Sequence, residues 1–267
     1  MLYMSISVKL RDENNNPYGV KNVKGKIRTS SMPYTYDISE LNVPGHTALN
    51  KFGHNNAVGT AYEDIWSGSA IYPFLTSAAR LEVTASLASD EVAKNGARTV
   101  WLNGLDSSYN VLSETVSMSG TSPVTTTNTF LRIHRAKVVT AGNSGSNVGA
   151  IEIKASGGAV LALIEAEMGQ TLMAVWTVPS GQTFYMTEWY ASSAVTKAID
   201  MGLWVRDNTV ADAAFQNKQF VNFTLDTFTR HLSLPLRITQ KTDMVLRAKV
   251  GVAGGDVSGG FSGWHET

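Results

Sequence analysis

One stretch, residues 96–135, constrains the fold of this chain more than any other because it contains three extended segments separated by turn sequences. Residues 99–102 and 111–118 are rich in β-branched, aromatic and large apolar side chains, which favour strands. Turn-forming residues 106–108 lie between them, so the pair predicts a hairpin. A second turn precedes residues 130–133, where extended character resumes. The whole stretch predicts a three-stranded antiparallel meander.

Alternation of apolar and polar residues predicts further short strands on both sides of this stretch. A first series ends at residues 160–164, and a second series begins after the polar segment 165–169. Strands recur about every 8 to 15 residues, a spacing typical of sandwiches. We therefore predict an all-β protein with two consecutive antiparallel β-sandwiches, the second jelly-roll-like, preceded by an extended N-terminal arm. The predicted boundaries are 1–45 for the arm, 46–167 for the first sandwich and 168–267 for the second.

Three local features add detail to this prediction. Leu232 and Leu234 share one strand face and Pro235 points the other way; a proline inside a strand indicates a sheet edge or a bulge. Residues 210–217 are the one stretch predicted to form a helix. Residues 42–69 are rich in Gly, Asn and Pro, which predicts a long connection that its aromatic side chains fix to a core.

The composition excludes several classes of partner. Basic and acidic residues number 22 each, so no net charge attracts nucleic acid. The absence of Cys removes disulfides and thiolate metal sites together. No apolar run approaches the roughly 20 residues of a membrane span. We therefore expect no nucleic-acid partner and no membrane insertion, and a protein made and kept in a cytoplasm.

No motif of known catalytic chemistry is present, so no catalytic, cofactor-binding or metal-ligating residue is predicted and the chain is not expected to be an enzyme. The nucleophile-elbow, dinucleotide-binding and phosphate-loop patterns are all missing. The histidines are too far apart in sequence for a metal motif. Three carboxylate pairs could serve glycoside hydrolysis or bind calcium, but none has the loop pattern that calcium prefers. These pairs are Glu63 with Asp64, Asp90 with Glu91, and Glu165 with Glu167.

The N-terminal arm carries the first candidate contact residues. Three apolar side chains alternate with polar ones, as in a strand that needs a partner. Residues 1–36 also hold six basic and two acidic side chains. Two readings stay open: a solvated, weakly ordered arm, or an arm whose strand docks by edge addition on an acidic partner surface. The apolar residues are Ile6, Val8 and Leu10, and the basic cluster is Lys21, Lys24, Lys26 and Arg28.

Four tryptophans divide by their position on strands. Trp101 and Trp176 are predicted to be buried. Trp189 and Trp204 are interpreted as outward-facing, and at least one of them is predicted to lie at a contact with another chain, with a sugar as the alternative partner. The protein contact is favoured, because exposed tryptophan on a surface of low charge usually marks assembly.

Three segments of the chain resemble a group of structural proteins of tailed bacteriophage particles. They are GARTVWLNGLDSSYN (residues 96–110), ETVSMSGTSPVTTTNTFLRIHRA (114–136) and QTLMAVWTVPSGQTFYM (170–186). The likeness extends over roughly residues 51–264. Proteins of this group are β-rich and lie on virions, some as cement or decoration of the head and others as tail parts.

The resemblance implies a non-enzymatic virion protein. The favoured role is a capsid cement or decoration protein that oligomerises on the head and bridges subunits of the major capsid protein. A homotrimer is the favoured oligomer and a dimer is the alternative. The alternative role is a tail, neck or fibre component, with host-surface carbohydrate as its ligand. In either role the protein would lie in the virion, assembled in the bacterial host cytoplasm.

Overall fold

The computed structural model describes residues 34–68, 70–252 and 254–267. The chain divides after residue 42, so that residues 34–42 belong to one unit and residues 43–267 to a second, compact one. The described part of the first unit contains one helix, α1 (Tyr34–Ser39), with Ile38 buried. Within the described ranges no helix has the length and apolar character needed to cross a membrane. The arm residues predicted to make contacts, from Ile6 to Arg28, lie outside the described residues.

The second unit is built from strands, and every pairing between them is antiparallel, which confirms the all-β prediction. The strands are β1 (His46–Val58), β2 (Glu63–Asp64), β3 (Leu81–Ala85), β4 (Ala97–Leu105), β5 (Val111–Ser117), β6 (Val124–Thr125), β7 (Arg132–Ala141), β8 (Ile151–Ala155), β9 (Val160–Ile164), β10 (Val175–Thr177), β11 (Thr183–Ser193), β12 (Ile199–Asp207), β13 (Gln216–Phe223), β14 (Thr227–Ile238), β15 (Thr242–Val250) and β16 (Gly255–Glu266).

Two sheets enclose the first hydrophobic core. Their strand orders are β6-β3-β8-β9 and β5-β4-β7. Strand β3 buries every second residue, as the alternating sequence predicts. This first core contains Leu81, Val100, Phe130, Ile133 and Ile153.

Two further sheets enclose the second core. Their orders are β1-β16-β11-β14 and β10-β15-β12-β13, and β2 also pairs with β15. The pairing is nested, since β1 pairs with β16, β10 with β15, β11 with β14 and β12 with β13. This second core contains Phe184, Met186, Trp189, Leu246 and Phe261.

The first sandwich is inserted into the second. Strands β2 and β10 lie on the same side of β15, and the chain between them forms the first sandwich. The two ends of the insertion meet, because the Ala174 N–H donates to the Ile65 carbonyl at 2.9 Å. Strand β1 crosses this junction at Gly53, where a Cβ would collide with both Ile65 and Ala174. The prediction that placed residues 46–64 with the first sandwich is therefore corrected: they pair with strands of the second.

Two other sequence interpretations are wrong. Residues 42–69 are not one long connection, because β1 and β2 occupy much of them. Residues 210–217 form no helix; a turn capped by Asp207, which accepts from the Thr209 N–H at 2.9 Å, leads directly into β13. The three alanines lie in the turn before β13, and only residues from Gln216 onward pair with β12.

The predicted meander is half correct. The hairpin of β4 and β5 forms around a turn in which Asp106 accepts from the N–H groups of Ser108 and Asn110. Strand β7, however, pairs with β4 and not with β5. The reason lies in β6, which leaves this sheet to pair with β3. The Thr126 hydroxyl fixes that crossing by accepting from Leu81 N–H and donating to Asn128 C=O.

Candidate interaction surface

Two neighbouring sheet edges of the second sandwich are mostly exposed. Among the described residues β14 pairs only with β11, and β13 pairs only with β12. Both strands therefore present one row of backbone N–H and C=O groups without a strand partner in that part of the chain. Exposed side chains on these strands alternate with half-buried ones, and Phe223, Phe228 and Leu232 among the latter pack against the second core. We call these two strands the open edge.

A bulge pushes apolar side chains outward from β14. Met186 pairs with Leu236 and Glu188 with His231, so four residues of β14 lie opposite one residue of β11. The bulge contains Leu234, which is 84% exposed, and Pro235, which has no N–H to donate. The prediction of an edge or a bulge at this proline is confirmed.

A groove of about 520 Å³ lies between the residues that precede β13 and the end of β14. Its apolar lining includes Val210, which is largely exposed, together with Leu236 and Ile238. Its lining also holds two acidic and two basic side chains, Asp207, Asp212, Lys218 and Arg237. Exposed Phe220 and Leu225 extend the apolar character of the open edge beyond the groove. A surface of this kind is typical of a contact with another chain.

The tryptophans only partly follow the prediction. Trp176 is buried as expected, whereas Trp101 is only partly buried. Trp189 is fully buried in the second core against Phe228, so its predicted outward position is wrong. A bulge in β11, seen in its pairing with β16 between Met186 and Glu188, breaks the simple parity on which that prediction depended.

Trp204, the other tryptophan predicted to face outward, is partly buried. Its ring packs edge-on against Tyr62 with centroids 5.5 Å apart, and the Arg247 guanidinium lies 5.6 Å from its centroid. Its indole N–H is buried without a hydrogen-bond partner in the described part of the chain. Trp204 is thus engaged within the unit, and whether it also contacts another chain stays a prediction.

A buried ionic network joins the two sandwiches. Asp243 of β15 accepts from Arg132 of β7 through Nε at 3.0 Å and Nη2 at 3.1 Å. Arg206 donates to the same carboxylate at 2.6 Å, and so does the Thr177 hydroxyl. Asp243 and Arg132 are both buried, and the two guanidinium groups flank the Phe74 ring. The two guanidinium groups share the one Asp243 carboxylate, so each charged group of the network has an oppositely charged contact, and the network supports the fold.

Two histidines are buried beside Trp176. The His134 ring stacks on Trp176 at 3.8 Å, and its Nε2 accepts from the Thr177 N–H. Burial, followed by the charge of Lys51, holds the pKa of His134 well below its usual range. Burial alone lowers the pKa of His265 to about 4. Both imidazoles are therefore neutral at pH 7 and unsuited to proton transfer near that pH.

Two of the carboxylate pairs weighed in the sequence each contain one buried carboxylate that already has partners, Asp90 and Asp64. Asp90 is buried and accepts from the N–H groups of Ala97, Val148 and Gly149, which makes it a structural anchor for loops. Asp64 is buried and pairs with Arg247. Within the described residues no three His, Asp or Glu side chains gather as metal ligands would.

Comparison with known proteins adds little to this description. No protein-family model matches the chain, and no curated protein matches it. Among solved structures, a chain of the T=1 particles derived from infectious bursal virus is similar over 83% of this chain and 78% of that chain, with 9% identity and a TM-score of 0.14. At that TM-score the likeness has no bearing on fold or function.

Proposed function

We propose that this protein is a non-enzymatic structural component of a virus particle, and that it acts as a cement or decoration protein on the head of a tailed phage. The observation that carries the proposal is the open edge: two adjacent exposed strands with an apolar bulge at Leu234 and a groove beside it. Soluble monomers usually protect such edges because they recruit other chains. In a protein that assembles with other chains, an unprotected sheet edge can form the contact.

The strand order of the second sandwich supports this role by analogy. When β1, β10, β11, β12, β13, β14, β15 and β16 are counted as eight successive strands, the nested pairing is that of a jelly roll. Viral capsid domains use this fold, and so do lectins and cupins, so the fold alone does not select the function. The resemblance of three segments to phage structural proteins favours the capsid among these uses.

In the proposed mechanism the open edge joins copies into a homo-oligomer, a trimer in the favoured form. The arm then fastens the oligomer to the major capsid protein. Its strand with Ile6, Val8 and Leu10 would add to a sheet edge, while its basic cluster would draw it to an acidic surface. A protein that binds only the assembled lattice stabilises that lattice by mass action, and many weak contacts sum to a strong shell.

The alternative role, a tail, neck or fibre component that binds host carbohydrate, rested on outward tryptophans. Trp189 is buried and Trp204 is engaged with Tyr62 and Arg247, so this role has less support than the first.

Copy number in purified particles tests the proposal. Quantitative mass spectrometry of virus particles from the host that makes the protein should find hundreds of copies per particle for head decoration, and on the order of a dozen for a tail part. Absence from particles would contradict a virion role altogether.

Attachment through the arm is tested separately. A variant lacking residues 1–44 should stay folded but fail to co-sediment with particles at moderate salt, while the full chain does so. If the truncated protein decorates particles as well as the full chain, the arm has no role in attachment.

A further inference from the structure

A second cavity, away from the open edge, lies where β1 meets the outer face of the β4–β7 pair. Trp101 of β4 lies opposite Lys137 of β7, and Asn103 lies opposite Arg135, so the four side chains share one face of the sheet. Strand β1 forms the other wall, with Lys51 at the base. The cavity has a volume of about 350 Å³, and we call it the cationic cleft.

The cleft has an unbalanced charge. Lys51, Arg135 and Lys137 all line it, and no carboxylate does. In the part of the chain that the structure describes, none of the three forms an ion pair. Arg135 donates to the Asn50 carbonyl at 2.9 Å and lies over the Phe52 ring, and Lys137 lies 4.9 Å from the Trp101 ring centroid. These contacts position the two cations without neutralising them.

Lys51 is the unusual member of this group. Its side chain is 1% exposed, its Nζ donates to the His134 carbonyl, and it lies near the Trp176 ring. Burial, followed by the like charge of Arg135, holds its pKa well below the usual value. Among the described residues the other buried lysine or arginine is Arg132, which pairs with Asp243. A buried amine without a counter-ion costs stability, so its place at the base of a cleft calls for an explanation.

We propose that the cationic cleft binds an oxyanion, a carboxylate or a phosphate, carried by a small ligand. The ligand supplies the negative charge that this part of the chain lacks. Arg135 offers a planar fork of donors that suits either group, and Lys137 adds a mobile charge at the rim. Trp101 provides an apolar wall beside the charged groups, and the cleft volume lies within the range of small-molecule sites.

The inference does not depend on the role in a virus particle, since it concerns a different face and a different partner. We infer a small ligand in preference to an acidic protein segment, because the volume of about 350 Å³ matches that of a small-molecule site.

Binding is tested on the full chain with inorganic phosphate, glucuronate and glucose 6-phosphate at up to about 10 mM in low salt. Glucose serves as the uncharged control. Trp101 and Trp176 line the cleft, so intrinsic fluorescence reports occupancy, and calorimetry confirms it. We expect saturable binding of at least one anion and none of glucose. Binding of glucuronate but not phosphate would indicate that the cleft takes a carboxylate, and the reverse would indicate that it takes a phosphate.

Variants assign the binding to the cleft. Arg135→Gln combined with Lys137→Gln should weaken anion binding by at least about tenfold. Lys197→Gln, which removes an exposed lysine outside the cleft, should leave it unchanged. A polyglutamate peptide serves as the model of an acidic protein segment. The proposal is overturned if no small anion binds saturably or if only this peptide binds. It is also overturned if the double variant binds as the unchanged protein does, or if Lys197→Gln weakens binding equally.

Discussion

At the scale of single residues, the structure separates a buried ionic network that stabilises the fold from a buried amine, Lys51, that has no acidic partner among the described residues. Arg132 and Asp243 are buried together, with Arg206 and Thr177 completing the hydrogen bonds of the carboxylate. Such a network stabilises the fold only while every member keeps its partner, because removal of one member leaves another polar group unpaired in a medium of low dielectric. Lys51 has no comparable set of partners among the described residues.

Replacing Arg132 by Met should therefore destabilise the protein by about 3 kcal/mol. The loss is expected because Asp243 stays buried with only Arg206 and Thr177, and because the Leu75 carbonyl loses its donor. Urea denaturation followed by tryptophan fluorescence measures the change. The control Arg80→Met removes an exposed arginine outside the ion pairs and should change stability by less than about 0.5 kcal/mol. Equal effects of the two variants would show that the network contributes nothing specific.

His265 should make stability depend on pH. Its folded pKa of about 4 lies below the ordinary 6.5, so the unfolded chain binds the proton more readily. Stability is then fully present above about pH 6.5 and falls as the pH drops towards 4, by about 3 kcal/mol from this group.

The variant His265→Phe removes this titration and keeps an aromatic ring against Trp176 and Phe184. Its stability should fall less between pH 7 and pH 4.5 than that of the unchanged protein, as measured by urea denaturation at both values. The difference reports His265 together with its influence on His134, because the charge of His265 is one of the causes that lower the pKa of His134. Parallel loss of stability in the two proteins would refute the assignment.

At the scale of elements, local sequence patterns predicted the positions of strands well, but they predicted poorly which strands pair with each other. The alternation at Leu81 to Ala85 and the proline in β14 each depend on residues within one strand, and both predictions are confirmed. The partner of β7 depends on where β6 goes, and a strand of two residues leaves almost no signal. Trp189 was misplaced for the same kind of reason, since a bulge shifts which face a residue occupies. The groove is formed by residues before β13 and residues at the end of β14. In the sequence, only Pro235 indicated an irregular edge in this region.

Replacing Leu234 by Lys should weaken self-association without lowering the melting temperature. Leu234 is exposed on the bulge of β14, so it adds nothing to the core, while a charge there opposes edge-to-edge contact. Sedimentation velocity should show the dissociation constant rise by about tenfold or more. The matched control is Val111→Lys, at an exposed apolar position on edge strand β5 of the other sandwich. An unchanged mass distribution, or an equal effect of Val111→Lys, argues against the open edge as the contact.

At the scale of the whole molecule, the order of strands along the chain differs from their order in space. The second core needs β1 and β2, which precede the first sandwich, as well as all strands from β10 onward. The insertion leaves and returns at Ile65 and Ala174, which are hydrogen-bonded to each other and flank Leu246 of β15. An inserted unit whose ends meet in this way can be removed without redirecting the strands around it.

This geometry distinguishes two ways of dividing the chain. We expect residues 46–65, joined through a short Gly-Ser turn to residues 174–267, to fold cooperatively with the circular dichroism of a β-protein. The shortened chain should be less stable than the whole, because Val175 and Val245 lose their cover in the first core and Asp243 loses Arg132. The fragment 168–267 follows the boundary that the sequence predicts. It should aggregate, since without β1 the strand β16 becomes an apolar edge from Val257 to Trp264. If the fragment 168–267 instead unfolds cooperatively and is at least as stable as the joined chain, the two sandwiches are consecutive domains and β1 is only an accessory strand.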